Sequence, residues 1–172
     1  MGSTLTVDKI QGATAAGTVE MPAGSVIQVL GNSHTIGSNI TTSGTSFVTS
    51  GLTSPVITPK FANSKILITC DIGMMYGEVA GDGTMTSIFR SVQGGTYAAL
   101  NVLNYDHFHE SSGTDNISPH MHHILDTPTY TLGNTISYQA FFKGQGAGNI
   151  HIYQGSMVHY TVSEIKQWVL YL

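Results

Sequence analysis

Charged side chains are scarce in this sequence of 172 residues. Lys and Arg total six, Asp and Glu total ten, and together they make up 9% of the chain, against about 25% in an average globular protein. The six basic residues do not cluster, which disfavours nucleic-acid binding, because that function needs a basic surface to neutralise phosphates. The same absence disfavours electrostatic attachment to a membrane. We therefore expect neither nucleic acid nor a membrane among the partners.

Cysteine and long apolar runs are also missing. Cys70 is the only cysteine, so no disulfide can form within the chain. It lies in phase with Ile66, Ile68 and Ile72, and we expect it to be a buried apolar residue. No run approaches the roughly 20 apolar residues of a membrane-spanning helix. Residues 1–7 lack the basic and apolar regions of a signal peptide, so we expect synthesis in a host cytoplasm without one.

Short β-branched segments separated by Gly, Pro and Asn fill most of the sequence. Strands are expected at 26–30, 46–48, 55–58, 65–72, 85–92, 97–103, 117–125, 135–142, 150–153 and 158–165. Their spacing of roughly 8–12 residues is typical of an all-β sandwich or barrel. No amphipathic helix of three turns is predicted. Because Gly144–Gly148 is glycine-rich and lies between two expected strands, we expect it to form a hairpin tip.

The first 24 residues differ from the rest of the chain. They contain too few apolar residues to form a core, so they need a neighbouring protein to order them. The predicted domains are a docking arm at 1–24 and a single β-sandwich at 25–172. The apolar residues expected to take part in docking or assembly are Leu5, Val7, Ile10, Trp168 and Leu170.

Several segments, taken in their order and spacing, carry a resemblance to a known group of proteins. They are Ser3–Gly12, Gly24–Val29, Gly51–Leu52, Val56–Pro59, Ser64–Ile68, Phe89–Arg90, Asp126–Pro128, Ile136–Gln139 and Tyr160–Ile165. Together they resemble virion surface proteins of marine tailed bacteriophages, cyanophage- and pelagiphage-like, of the tail-fibre-like or decoration type. The resemblance implies a jelly-roll-like sandwich on a virion surface, and packing three copies around an axis would cover its sheet edges.

We therefore expect a homotrimeric bacteriophage structural protein on the virion surface. It would be a fibre or knob that docks on other virion proteins through the arm and contacts a host glycan or protein through loops at 74–84 and 104–123. A capsid decoration (cement) protein is one alternative. A monomeric carbohydrate-binding module is another, and it would bind glycans through exposed aromatic residues such as Tyr76, Tyr105 or Trp168.

Five of the eight histidines fall between residues 107 and 123. His107 and His109 form one His-x-His pair, and His120 and His122 form another. On a strand, residues two apart point to the same side, so each pair could hold a transition metal, with six imidazoles meeting at a trimer axis. The alternative, which the sequence favours, is that these are exposed polar residues on a loop or an edge. We predict no cofactor and keep the four histidines as metal candidates.

Catalytic patterns are absent from the sequence. No nucleophile elbow occurs, and nothing fixes the separation of the carboxylates at Asp106 and Asp126 that a glycosidase would require. We predict no catalytic residue and no enzyme. Arg90 is the only arginine and lies in an apolar strand, so it needs an acidic partner. Asp71 and Glu164 are the expected candidates.

Overall fold

The computed structural model describes residues 22–79, 83–106, 118–146 and 148–167. Within these ranges the chain forms ten β-strands and no helix. The strands are β1 (Val26–Thr35), β2 (Ile40–Thr42), β3 (Val48–Thr53), β4 (Lys65–Gly77), β5 (Thr84–Val92), β6 (Ala98–Asp106), β7 (Ser118–Asp126), β8 (Ile136–Gly144), β9 (Ile150–Ile152) and β10 (Met157–Ile165). No helix in the described part is long and apolar enough to cross a membrane.

The first sheet contains six strands but only four strand positions. Its order is β1-β10-β4-β9-β2, with β7 on the other side of β4. β10 pairs with residues 65–71 of β4, and β9 pairs with residues 75–77 along the same edge. β9 and β10 are therefore two halves of one interrupted strand. β1 and β2 are related in the same way, because they pair with β10 and β9 respectively.

The second sheet has the order β3-β8-β5-β6. Across both sheets the pairs are nested, since β1/β2 pairs with β9/β10, β3 with β8, β4 with β7, and β5 with β6. This nesting is a long antiparallel hairpin wrapped into two packed sheets, which is the topology of a jelly roll. The prediction of an all-β, jelly-roll-like sandwich is confirmed.

The core lies between the two sheets and is mostly β-branched. Alternate residues of each strand point inward, and those that are completely buried include Ile57, Ile66, Ile68, Ile72, Ile88, Ile136, Ile150, Ile152, Val158 and Val162. Burying one such side chain contributes about 1.5–3 kcal/mol. Tyr138, Phe142 and Tyr160 fill the remaining space. The hydrophobic core therefore stabilises a chain that has few charges available for ion pairs.

Three local predictions are wrong. The expected strand at 55–58 is reduced to one bridge, between Ile57 and Ile136, because Pro55 cannot donate a hydrogen bond to a ladder. The segment 144–148, of which residue 147 lies outside the described part, joins β8 to β9 in the other sheet and is not a hairpin tip. The expected contact loops also include strand, because residues 74–77 belong to β4 and 118–123 to β7.

A bulge in β4 requires glycine. The pairing of β4 with β7 shifts register between Asp71 and Gly73, and Gly73 has φ +75°. A Cβ atom at this position would lie 2.8 Å from the carbonyl oxygen of Met157. The bulge lies level with the break between β9 and β10, and it allows β4 to pair with both.

Candidate functional site

Aromatic and polar side chains cluster on the outer face of the first sheet, where β2, β9 and the end of β4 meet. Thr41, His151 and Tyr76 are direct partners in register across these three strands. They point away from the core, because the alternate residues of β9, Ile150 and Ile152, are fully buried.

His151 lies at the centre of this cluster. Its Nε2 lies 2.8 Å from Oε1 of Glu78, and since a carboxylate can only accept, Nε2 carries the proton and donates it. Its Nδ1 lies 2.8 Å from the hydroxyl of Thr41. The ring of Tyr76 stacks on the imidazole at a centroid distance of 4.4 Å and an angle of 17°. These contacts fix the orientation of both rings.

Further polar and aromatic groups adjoin the two rings. Asn39 donates from Nδ2 to the hydroxyl of Tyr76 at 3.0 Å, and its Oδ1 accepts from the backbone N–H of Gln154 at 2.8 Å. The ring of Tyr153 lies 5.7 Å from that of Tyr76 at an angle of 71°. We call the set Asn39, Tyr76, Glu78, Asn149, Tyr153 and Gln154 the tyrosine–amide patch.

The carboxylate of Glu78 is held in its charged form. Asn149 donates from Nδ2 to Oε2 of Glu78 at 2.7 Å. This hydrogen bond, followed by that from His151, lowers the pKa of Glu78 below its ordinary value. The carboxylate is therefore a fixed acceptor in the patch at neutral pH.

Exposed aliphatic residues lie near the other end of the same face. Val29, Ser163, Leu67 and Leu125 are direct partners across β1, β10, β4 and β7. Val29, Leu67 and Leu125 are 57%, 38% and 54% exposed, respectively. Val26, which lies nearer the strand ends, is 53% exposed. We call Val26, Val29, Leu67 and Leu125 the apolar band.

The apolar band lies at the end of the sandwich where the outermost segments join it. The backbone of Lys166 pairs there with Gly24 and Ser25. Leu67 and Tyr76 are nine positions apart on β4, so the band and the tyrosine–amide patch are separated by about 30 Å of extended strand. The face thus has an apolar end beside Gly24 and Ser25 and an aromatic, polar end away from them.

The His-x-His pair of β7 faces the interior of its own chain. His120 and His122 point to the same side, as the spacing predicts, but they are 0% and 2% exposed. The hydroxyl of Thr86 lies 3.3 Å from Nδ1 of His120 and 2.8 Å from Nε2 of His122, and that of Thr84 lies 3.0 Å from Nε2 of His120. The pair does lie on an edge strand, because among the described strands β7 pairs only with β4, but the expectation that these histidines are exposed is wrong.

The remaining metal candidates, His107 and His109, lie outside the described residues. Within the described ranges no three His, Cys, Asp or Glu side chains are grouped so that they could hold a metal ion. The docking candidates Leu5, Val7, Ile10, Trp168 and Leu170 also lie outside the described part, and their roles stay predictions.

Arg90 pairs with Asp126 and not with Asp71 or Glu164. Its Nη1 donates to both carboxylate oxygens of Asp126, at 2.7 and 2.8 Å, and Tyr138 donates its hydroxyl to Oδ2 at 2.9 Å. Burial, followed by the adjacent carboxylate, raises the pKa of Tyr138, so this hydroxyl stays protonated. The expected partners are wrong because residues 36 positions apart meet across the sandwich.

Glu164 is a fully buried carboxylate that sequence reasoning considered only as a partner for Arg90. It accepts hydrogen bonds from Gln28 Nε2 at 2.8 Å, from the backbone N–H groups of Lys60 at 2.9 Å and Phe61 at 3.1 Å, and from the hydroxyl of Ser64 at 2.7 Å. These hydrogen bonds connect β10 to β1 and to the loop before β4. Four neutral donors satisfy this buried charge.

Cys70 is buried, as predicted. Burial raises the pKa of its thiol to about 12. The nucleophile and metal ligand is the thiolate and not the thiol, so this residue is chemically inert in the folded protein.

No family model matches the sequence, and no curated protein is similar to it. Among solved structures, the chain is similar to one in the structure of infectious bursal disease virus Gt strain, with a TM-score of 0.43 and 12% identity. The match covers 93% of this chain and 43% of that chain, so this chain spans less than half of its neighbour's length. A likeness this distant supports no argument about function. The comparisons give no link to marine phages, and that resemblance stays a prediction.

Proposed function

We propose that the chain is a structural protein of a virion, namely a bacteriophage surface appendage of the fibre or knob type. The observation that carries this proposal is the jelly-roll sandwich, an architecture used by viral capsid and lectin domains. The scarcity of charge adds support, because extended assemblies rely on β-ladders and apolar packing more than on ion pairs.

The outer face of the first sheet supports a directional role. The apolar band lies beside the point where the arm joins, and the tyrosine–amide patch lies about 30 Å away. In the proposed arrangement, residues 1–24 dock on other virion proteins, and the far end of the sandwich points away from the particle towards the host.

Self-association as a homotrimer is part of the proposal, with the apolar band as the surface that copies of this chain cover. The row of Val29, Ser163, Leu67 and Leu125 contains no charged side chain, and an exposed apolar surface of this kind is typical of a protein interface. Light scattering should give a mass near three times 18.3 kDa. The double variant Leu67→Glu/Leu125→Glu should be monomeric, and Val79→Glu, at an exposed site outside the band, should not change the mass.

The virion assignment is tested on particles from a lysate in which the chain is made. Mass spectrometry should find the protein in purified particles, and gold-labelled antibodies should place it on tails or fibres. Labelling spread evenly over the head would instead support the capsid decoration alternative. Absence from the particles contradicts both virion roles, and a stable monomer that binds glycans would then favour the carbohydrate-binding module.

We propose no catalytic role for the series Thr41–His151–Glu78, although its order of hydroxyl, imidazole and carboxylate occurs in hydrolases. The hydroxyl-to-Nδ1 contact recurs between direct cross-strand partners on the same face. It links Ser33 to His159 at 2.8 Å and Thr69 to His123 at 3.3 Å. The contact is therefore a repeated way of joining strands in this sheet. Hydrolysis of p-nitrophenyl acetate that is lost in Thr41→Ala would contradict this view.

A further inference from the structure

We propose that the tyrosine–amide patch binds an uncharged pyranose sugar of a glycan. This inference deepens the proposed function, because it names the ligand class for the end of the sandwich that points away from the arm. It rests on the geometry of the patch, and the patch could also bind a sugar in a protein with another role.

The aromatic rings supply the apolar contact. The C–H face of a pyranose packs against an aromatic ring, and tyrosine combines such a ring with a polar tip. Tyr153 is partly exposed, and its ring stands at 71° to that of Tyr76 with centroids 5.7 Å apart. The two rings form a corner, and a sugar ring that lies against one of them meets the edge of the other.

The polar groups around this corner match sugar hydroxyls, which donate and accept hydrogen bonds. Within the described residues, no hydrogen bond engages Oδ1 of Asn149. Glu78 adds a carboxylate acceptor beside it. A few fixed polar groups next to an apolar surface are the usual composition of a small-molecule site.

The charge of the patch selects a neutral ligand. Glu78 contributes a negative charge, and no Lys or Arg in the described part of the chain contacts the patch. Lys60, Lys65 and Lys166 lie at the opposite end of the sandwich, near Glu164 and Ser25. The Nζ of Lys143 lies 5.0 Å from the ring centroid of Phe47, and Arg90 pairs with Asp126. Nothing described here would balance the charge of a sialic acid or a sugar phosphate, and Glu78 would repel it.

The patch is organised before the ligand arrives. Asn39 forms hydrogen bonds with the hydroxyl of Tyr76 and with the backbone N–H of Gln154. His151 stacks on the ring of Tyr76, and Asn149 donates a hydrogen bond to Glu78. Side chains that are already fixed lose less entropy on binding, which increases affinity. The ring of Tyr76, the carboxylate of Glu78 and the amide of Asn149 are therefore fixed before the sugar binds.

The test is saturation-transfer-difference NMR of the full chain with a panel of neutral di- to tetrasaccharides of glucose, galactose and N-acetylglucosamine. A sialylated trisaccharide serves as the anionic comparison. We expect transfer to at least one neutral sugar and none to the anionic one. Tyr153→Ala should weaken binding about tenfold, whereas Tyr153→Phe should stay within about threefold because it keeps the ring. Asn149→Ala should also weaken binding.

Tyr97→Ala is the matched control, since Tyr97 is a partly exposed tyrosine that contacts Phe141 on the second sheet. The Tyr97→Ala variant should bind the neutral sugar with the same affinity as the wild type. Binding of no neutral sugar in the panel, or equal affinity in wild type and Tyr153→Ala, overturns the site. Either of these results leaves the virion proposal unaffected, because that proposal is tested by the presence and position of the protein on particles and by its mass in solution.

Discussion

Replacing Glu164 with glutamine tests how much the hydrogen bonds to this buried carboxylate stabilise the sandwich. The carboxylate is completely buried, and Gln28, Lys60, Phe61 and Ser64 all donate to it at 2.7–3.1 Å. Glutamine has the same shape, so Glu164→Gln changes charge and hydrogen bonding without leaving a cavity. Any loss of stability therefore reports on these bonds.

The magnitude follows from the two oxygen positions. With the amide nitrogen at the Oε2 position, Gln28 Nε2 loses its acceptor, whereas the N–H of Lys60, which contacts both oxygens, keeps Oε1. With the nitrogen at the Oε1 position, the N–H of Phe61 and the hydroxyl of Ser64 face it. The orientation that costs less therefore leaves one donor without an acceptor. A hydrogen bond to a charged group contributes about 1.5–3 kcal/mol, so we expect the free energy of unfolding to fall by about 1.5–3 kcal/mol and the Tm by about 6 °C.

The assay is urea denaturation of wild type, Glu164→Gln and Glu78→Gln at equal protein concentration. Glu78 is exposed, and exposed ion pairs contribute little to stability because solvent screens them, so the control should unfold at nearly the same urea concentration as the wild type. If the free energy of unfolding of Glu164→Gln lies within about 1 kcal/mol of the wild-type value, with an unchanged m-value, the hydrogen bonds to Glu164 do not stabilise the fold and the reasoning is wrong.

Three further predictions rest on single contacts. Burial raises the pKa of Cys70 to about 12, so at pH 8 the thiol should react with Ellman's reagent only after denaturant is added. Gly73→Ala should destabilise the fold by about 2–3 kcal/mol in urea denaturation, because the new Cβ meets the oxygen of Met157 in a left-handed conformation. In an NMR titration, the carboxyl resonance of Glu78 should change below pH 4.5, because the pKa of Glu78 is lowered. Asn149→Ala removes the main cause and should raise this pKa. The stability that the ionised Glu78 contributes should be present above pH 4.5 and lost as the pH falls through the pKa of the folded state.

The strand pattern could be predicted because alternation is a local property. Ile66, Ile68, Cys70 and Ile72 lie on one side of β4 in the sequence and between the sheets in the structure. β2 was missed because it has only three residues and depends on pairing with β9. Which sheet a strand joins is not encoded locally, so the segment after β8 was assigned wrongly.

The polar interior could not be predicted because its partners are distant in sequence. His120 and His122 lie in the core, where the hydroxyl groups of Thr84 and Thr86 on β5 form hydrogen bonds with them. A single sequence shows a polar residue and its neighbours in the chain, and it gives no indication of a hydroxyl group 36 residues away. Tyr76 was singled out as an aromatic candidate, and its binding role stays a prediction. Asn39 and His151, which contact it, come from two other segments.

The path of β1 has a mechanical consequence. The strand begins next to the segment through which the arm would be anchored, and its residues 26–35 pair with β10 along their whole length. A pull on residue 22 directed along the strand therefore acts on the hydrogen bonds of this ladder in shear, all at once. A force between an anchored arm and a sugar held at the far end of the sheet would follow the same direction. In the proposed arrangement, the ladder between β1 and β10 would therefore carry a load between the two ends of the sandwich in shear, without separating its hydrogen bonds one by one.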